Sequence, residues 1–233
     1  MTTVAIIGNP NVGKTELFNR LTGMKQHVGN WPGVTVEKKT GRFTYRGEEI
    51  EAVDLPGTYS LAATAKDELI SRNYILEERP DVVVDIADAT NLERNLYLTL
   101  LLLELEANLV VVLNRWDMAR ERSITIDSEK LSELLGAPVV PTVATTGEGV
   151  ERLKETILNA AKSGGGRRKV VVGYGDDAEA AIAEVEDAVR MDAELSGRYP
   201  PRWLAIKALE KDDQVMRLIE ASSHRRNIAA AVE

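Results

Sequence analysis

The chain has 233 residues, 44% of them apolar, enough for one α/β domain of about 150 residues and a smaller unit beside it. It contains no cysteine, which excludes a disulfide framework and a thiolate metal site and leads us to expect a reducing, cytosolic compartment. A formal charge of −8 repels phosphate backbones and anionic lipid at long range, so no nucleic-acid partner is expected.

The chain enters an apolar strand over 3–8 without the basic flank and apolar stretch of a signal peptide. That strand delivers Gly8-Asn9-Pro10-Asn11-Val12-Gly13-Lys14-Thr15, a complete G-x-x-x-x-G-K-[ST] loop, into an amphipathic helix over 15–22. The glycines let backbone N–H groups curl around a β-phosphate, Lys14 neutralises β- and γ-oxygens, and Thr15 ligates Mg²⁺. Asn9, Asn11, Val12, Gly13 and Glu16 complete the expected nucleotide contacts of this segment. Next, Gly29-Asn30-Trp31-Pro32-Gly33-Val34-Thr35 is rich in turn formers and is expected as a switch loop within 26–37, Thr35 ligating Mg²⁺ when a γ-phosphate is present. His27 falls in it as a solvated side chain.

A hairpin is predicted from 37–45 and 49–54, turning at Arg46-Gly47. Its second strand closes on Asp54-Leu55-Pro56-Gly57, a D-x-x-G in which Asp54 holds Mg²⁺ through water. The Gly57 N–H approaches the γ-phosphate because no side chain intervenes. Alone, the tetrapeptide also fits a common turn; in order after the phosphate loop, it opens a second expected switch over 57–66. Helix 67–78 and strand 81–87 follow. Helix 92–106 is leucine-rich nearly all round, which predicts burial on two sides, the second receiving the C-terminal helices. Glu104, Glu106 and Asn108 interrupt the apolar region 96–113, so it is not expected to span a bilayer.

Strand 109–114 ends in Asn114-Arg115-Trp116-Asp117, an N-x-x-D whose spacing suits a guanine edge. Asp117 accepts from the N1–H and the exocyclic N2–H, a donor pair that adenine lacks. At roughly 1.5 to 3 kcal/mol per hydrogen bond to a charged group, this discriminates by more than a decade. A short helix 127–135 and strand 138–142 lead to Val143-Ala144-Thr145, where the Ala144 N–H is expected on guanine O6, and helix 149–162 ends the alternation. The order predicts a doubly wound, mostly parallel sheet carrying a Ras-like P-loop GTPase.

Ser163-Gly164-Gly165-Gly166 breaks the pattern, dividing the chain into a GTP-binding domain, 1–163, and a helical domain, 164–233. Arg167-Arg168-Lys169 is expected as a solvated linker edge. Apolar stripes over 178–190 and 201–221 make this second unit all helical.

Four segments carry a resemblance: residues 8–15, 29–37, Asp54-Leu55-Pro56-Gly57-Thr58-Tyr59-Ser60-Leu61, and Asp88-Ala89-Thr90-Asn91-Leu92-Glu93-Arg94-Asn95-Leu96. They resemble the cytosolic G domain of the prokaryotic ferrous iron transporter FeoB, the likeness running from residue 3 to about 160. Arg198-Tyr199-Pro200-Pro201-Arg202-Trp203 is similar to that family's appended helical domain, described as slowing nucleotide release. The resemblance implies a GTPase that regulates Fe²⁺ uptake at the cytoplasmic face of the membrane, through a membrane-embedded half expected on the same polypeptide. With only His27 and His224 and no cysteine, no iron is placed on this chain. Two positions depart from the wider class: Arg115 stands for the usual Lys, its stem and plane able to cover the base, and Val143-Ala144 stands for Ser-Ala.

The Gln that orients water in Ras-like switches has no counterpart, since Gly57 is followed by Thr58 and Tyr59. In similar G-x-P-N-x-G-K proteins the Asn holds K⁺ beside the β- and γ-phosphates, and the same is expected of Asn11. Lys14, Asn11, Thr35 and Gly57 are thus the candidate catalytic residues. A ribosome-assembly or tRNA-modification GTPase is the alternative, and a non-catalytic nucleotide sensor a second one. The oligomeric state is not legible.

Overall fold

A computed structural model describes residues 1–23, 26–62, 65–164 and 170–233. Five parallel strands form the centre of a seven-stranded sheet: β1 (Thr2–Gly8), β4 (Glu48–Asp54), β5 (Val82–Asp88), β6 (Leu109–Asn114) and β7 (Val139–Pro141). Strands β2 (Gln26–Asn30) and β3 (Glu37–Tyr45) extend one edge, giving the order β2-β3-β4-β1-β5-β6-β7. Every residue of β5 and β6 is buried, as strands covered on both faces require.

Alternation along the strands divides the core in two. Val4, Ile6, Val84 and Val112 face α1 (Lys14–Thr22) and α6 (Val150–Ser163) through Leu17, Phe18, Leu153 and Ile157. Ala5, Ile7, Val83 and Val111 share the other face with α3 (Leu92–Glu104) and with the C-terminal helices. Helix α2 (Lys66–Asn73) runs on into a π-helical turn, Tyr74–Glu78. Short helices α4 (Trp116–Glu121) and α5 (Ser128–Leu135) link β6 to β7.

The tail folds as α7 (Asp176–Arg190), α8 (Ala193–Arg198), α9 (Pro201–Leu209), α10 (Asp213–Ala221) and α11 (Arg225–Val232). The single stripe expected over 201–221 is therefore two helices. Lys211 adopts φ 58°, and the Asp212 carboxylate caps α10 by accepting from the Gln214 and Val215 N–H groups at 3.0 and 3.1 Å. Helices α4 and α8, six residues each, are too short for an apolar period to show. Helix α3 stops at Glu104 because Glu106 turns left-handed at φ 54°. It is not buried all round, Tyr97 being 55% exposed. Leu98 and Leu102 bury completely against the sheet, while Glu104 accepts a hydrogen bond from Tyr174 Oη of the tail.

The largest departure is β2. Residues 26–30, assigned to a switch loop, pair antiparallel with β3 from Gln26↔Gly41 to Asn30↔Glu37. Four of its five side chains are exposed, so this edge strand has no apolar alternation to betray it. His27 lies in it, exposed as expected. Of the second switch, Ala63 and Thr64 lie outside the described residues, as do Gly165, Gly166 and the basic cluster 167–169.

Candidate functional site

In a sheet of this kind the carboxyl ends of parallel strands open onto one crevice. Register places Asp54 beside Ile6 at the end of β4, and pairs Asp88 with Asn114 at the ends of β5 and β6. The four motifs predicted from sequence are thus gathered on one edge.

The phosphate loop is locked by close packing. A Cβ on Gly8 would lie 2.5 Å from the Ile86 carbonyl oxygen. One on Gly13, which is left-handed at φ 86°, would meet Asn114 Nδ2 at 2.4 Å. Asn11 is also left-handed, φ 65°. The first N–H of α1 to find a carbonyl is that of Leu17, on Gly13 O at 3.1 Å, so the N–H groups of Lys14, Thr15 and Glu16 stand open at a positive helix end. The Glu16 carboxylate lies 3.6 Å from Arg20, leaving its N–H as its contribution to the site. Asn9 is buried, and its Oδ1 has no hydrogen-bond partner among the described residues.

Lys14 and Asp54, assigned to phosphate and to Mg²⁺, ion-pair with each other. Gly57 lies against the phosphate loop, with Gly8 O and Pro10 Cα each 3.6 Å from where its Cβ would be, and the Thr58 N–H donates to Gly8 O at 3.2 Å. The Thr58 hydroxyl is turned onto the Ser60 carbonyl, 2.7 Å away. Thr15 and Thr35 are both exposed, and Thr35 makes no hydrogen bond among the described residues. Its loop hangs on Trp31, buried edge-on against Tyr74 with ring centroids 5.4 Å apart and Lys38 Nζ 4.7 Å above it.

At the base end, Asn114 stands between the phosphate loop and the base loop. It is 2% exposed: Nδ2 donates one hydrogen to Val12 O at 2.7 Å, and Oδ1 accepts from the Ala144 N–H at 3.0 Å. It braces the phosphate loop to the base loop. The Ala144 N–H, expected on guanine O6, is engaged there, and Val143 is buried with its N–H on Glu148 O. The N–H of Thr145 is the donor in this run without a partner among the described residues. Asp117, in the first turn of α4, is partly buried and has no hydrogen-bond or ion-pair partner among the described residues.

Arg115, left-handed at φ 61°, sends its guanidinium to Asn11 O at 2.5 Å and to Asp88 Oδ2 at 2.7 Å. Asp88 was not among the sequence candidates, although it opens one of the segments carrying the resemblance. Arg20, also missed, grips the Ala144 carbonyl from α1.

A mostly parallel Ras-type sheet, a G-K-T loop opening its first helix, and D-x-x-G and N-x-x-D at the carboxyl ends of β4 and β6 define the class: a P-loop GTPase domain with helices appended. A family model described as ferrous iron transport protein B matches residues 2–157, and one described as the FeoB cytosolic helical domain matches 174–233. The chain belongs to the FeoB family.

Among curated relatives, the Fe(2+) transport protein A/Fe(2+) transporter FeoB fusion protein of Porphyromonas gingivalis is 43% identical over 221 residues, 93% of this chain and 26% of that protein. The Fe(2+) transporter FeoB of Escherichia coli K12 is 44% identical over 217 residues, 90% of this chain and 27% of that protein. The chain therefore spans about a quarter of the length of these relatives. Among solved structures, the cytosolic domain of T. maritima FeoB in GDP form II is 42% identical with a TM-score of 0.90. The alignment covers 100% of this chain and 94% of that one. The GMPPNP form of the same domain is 43% identical with a TM-score of 0.87, covering 100% and 94%. Among the described residues no helix is long and apolar enough to cross a membrane.

Proposed function

We propose that this chain is the GTP-binding and GTP-hydrolysing module of a ferrous iron transporter, working at the cytoplasmic face of the membrane against a membrane-embedded half. The observation that carries the nucleotide assignment is Asn114 joining Val12 to Ala144 while the Asp117 carboxylate beside it stays unpartnered. A brace between phosphate loop and base loop fixes the span a nucleoside diphosphate must bridge, and a free carboxylate at its end selects a base with two adjacent donors. We divide the chain into a G domain, 1–163, and a helical domain, 164–233, that regulates nucleotide release.

In this reading phosphate oxygens would draw Lys14 from Asp54 and leave that carboxylate able to hold Mg²⁺ through water. Thr15 and Asp54, a hydroxyl and a carboxylate, are hard oxygen donors suited to Mg²⁺, and Thr35 joins them from the switch loop. The Asn11 side chain is exposed and makes no hydrogen bond among the described residues, so its amide oxygen is free for K⁺. When bound, the two cations supply positive charge at the β- and γ-oxygens. Gly57 contributes its N–H to the γ-phosphoryl group, and Thr58, held on Ser60, carries no water-orienting amide.

Phosphate release measured with GTP and ATP tests the assignment: GTP is hydrolysed and ATP is not. Hydrolysis runs faster in K⁺ than in Na⁺, and Asn11→Ala removes that difference. Equal rates in the two salts contradict the K⁺ role alone. Lys14→Ala, placed in the full-length transporter, abolishes Fe²⁺ uptake; unaltered uptake contradicts the regulatory role.

A further inference from the structure

Arg20 lies in the last turn of α1, on a helix that opens with the phosphate loop's lysine. Its guanidinium crosses to the base loop and takes two consecutive carbonyls, Nε donating to Ala144 O at 3.0 Å and Nη2 to Thr145 O. A trans peptide unit points its N–H opposite to its C=O. With the Ala144 and Thr145 carbonyls turned toward α1, the N–H groups of Thr145 and Thr146 are turned away from it. Thr146 donates to Val143 O at 3.2 Å, Gly147 to the same oxygen at 2.8 Å, and Ala144 to Asn114. Among the described residues, Thr145 is left as the donor without a partner.

We propose that Arg20 is a positioning residue for base recognition: by holding two carbonyls of the base loop it aims the Thr145 N–H at the O6 acceptor of guanine. The assignment rests on the guanine-site reading above, and Arg20 acts through the loop rather than by touching the base. The fork geometry explains the residue type. Two adjacent carbonyls need two donors held in one plane, which a guanidinium offers and an ammonium does not. Glu16, one turn earlier, lies 3.6 Å from the Arg20 Nε on the same helix face. The link also ties the helix that carries the phosphate contacts to the loop that reads the base.

Binding of GDP, IDP and 6-thio-GDP to the intact chain and to Arg20→Ala and Arg20→Lys tests this. Replacing O6 by sulfur weakens the acceptor, whereas IDP lacks the N2 amine facing Asp117. Arg20→Ala is expected to weaken GDP about tenfold, the value of one hydrogen bond of this kind. It should bring the GDP/6-thio-GDP ratio toward one while leaving the GDP/IDP ratio unchanged, and Arg20→Lys should recover part of the first ratio. The side chain is 41% exposed, so the variants are expected to fold, and a thermal melt within a few degrees of the parent checks this. An unchanged GDP/6-thio-GDP ratio in Arg20→Ala overturns the assignment, as does an equal loss for all three nucleotides. If the parent chain itself does not prefer GDP to IDP, the guanine site falls, and the assignment with it.

Discussion

The phosphate and base loops differ from the switch segments in what holds them. The loops are cross-braced within the sheet edge itself: Asn114 joins Val12 to Ala144, Arg115 joins Asn11 to Asp88, and Arg20 spans to Ala144 and Thr145. The switch segments lean elsewhere. The first hangs on Trp31, with Thr35 free in solvent, and the second is tied to the helical tail. There Arg72 of α2, fully buried, donates to Leu61 O at 3.4 Å and pairs with Asp212 of the tail at 2.7 Å. It also donates to Gln214, while its guanidinium lies 5.6 Å from the Trp203 ring. The grip on a nucleotide is self-contained, whereas the second of the two segments that would sense its γ-phosphate is shared with the appended helices. An element with its own braces gives affinity, and one bound to a second domain can transmit state.

The sharpest way to break this contrast is Arg72→Ala. It leaves the Asp212 carboxylate, 6% exposed, without its cation, and it should cost about 3 to 5 kcal/mol in denaturant unfolding, with the tail loosening first by hydrogen exchange. Loss spread evenly over both regions would deny the division of labour. Asp117→Asn acts on the self-contained half. It should weaken GDP by roughly ten- to a hundred-fold in calorimetry while leaving the melting temperature in place, because the carboxylate has no protein partner to lose. Thr35→Ala has the smaller effect on affinity: it should spare GDP and weaken only the Mg²⁺-dependent preference for a non-hydrolysable GTP analogue. An equal loss for both nucleotides would contradict a sensing role.

The sheet itself carries a pH dependence. Asp85 of β5 lies between Ile7 and Val111 and accepts a hydrogen bond from Thr99 Oγ1 of α3 at 2.6 Å. Burial pushes its carboxyl from an ordinary 3.8 up to about 7. Between those values the folded chain holds a proton that the unfolded chain has released. The contribution is therefore complete below about pH 4, declines as pH rises, and is gone above about pH 7. Asp85→Asn should flatten that slope in urea titrations run across the range, and an unchanged slope would place the dependence elsewhere.

What was legible in the sequence was what local pattern encodes. The phosphate loop, the D-x-x-G and N-x-x-D strand ends and the Arg46-Gly47 hairpin, where Tyr45 pairs with Glu48, all depend on residues within a few positions of one another. The edge strand β2 escaped because an exposed edge needs no apolar alternation, and the break at Lys211-Asp212 because the polar run 210–214 that holds it contains neither Gly nor Pro. Arg20 and Arg72 escaped for a different reason. Their partners lie 124 and 140 residues away, and an arginine on a helix face carries no sign of which carbonyl or carboxylate the fold will bring to it. The same distance hid the engagement of the Ala144 N–H by Asn114, 30 residues earlier.

Calorimetric titration of the purified chain with GDP and with ADP, each with Mg²⁺, tests the central claim most directly. The account predicts saturable binding of GDP at one site per chain and at least a tenfold weaker response to ADP. Equal affinity for the two, or no saturable uptake of GDP, would contradict it.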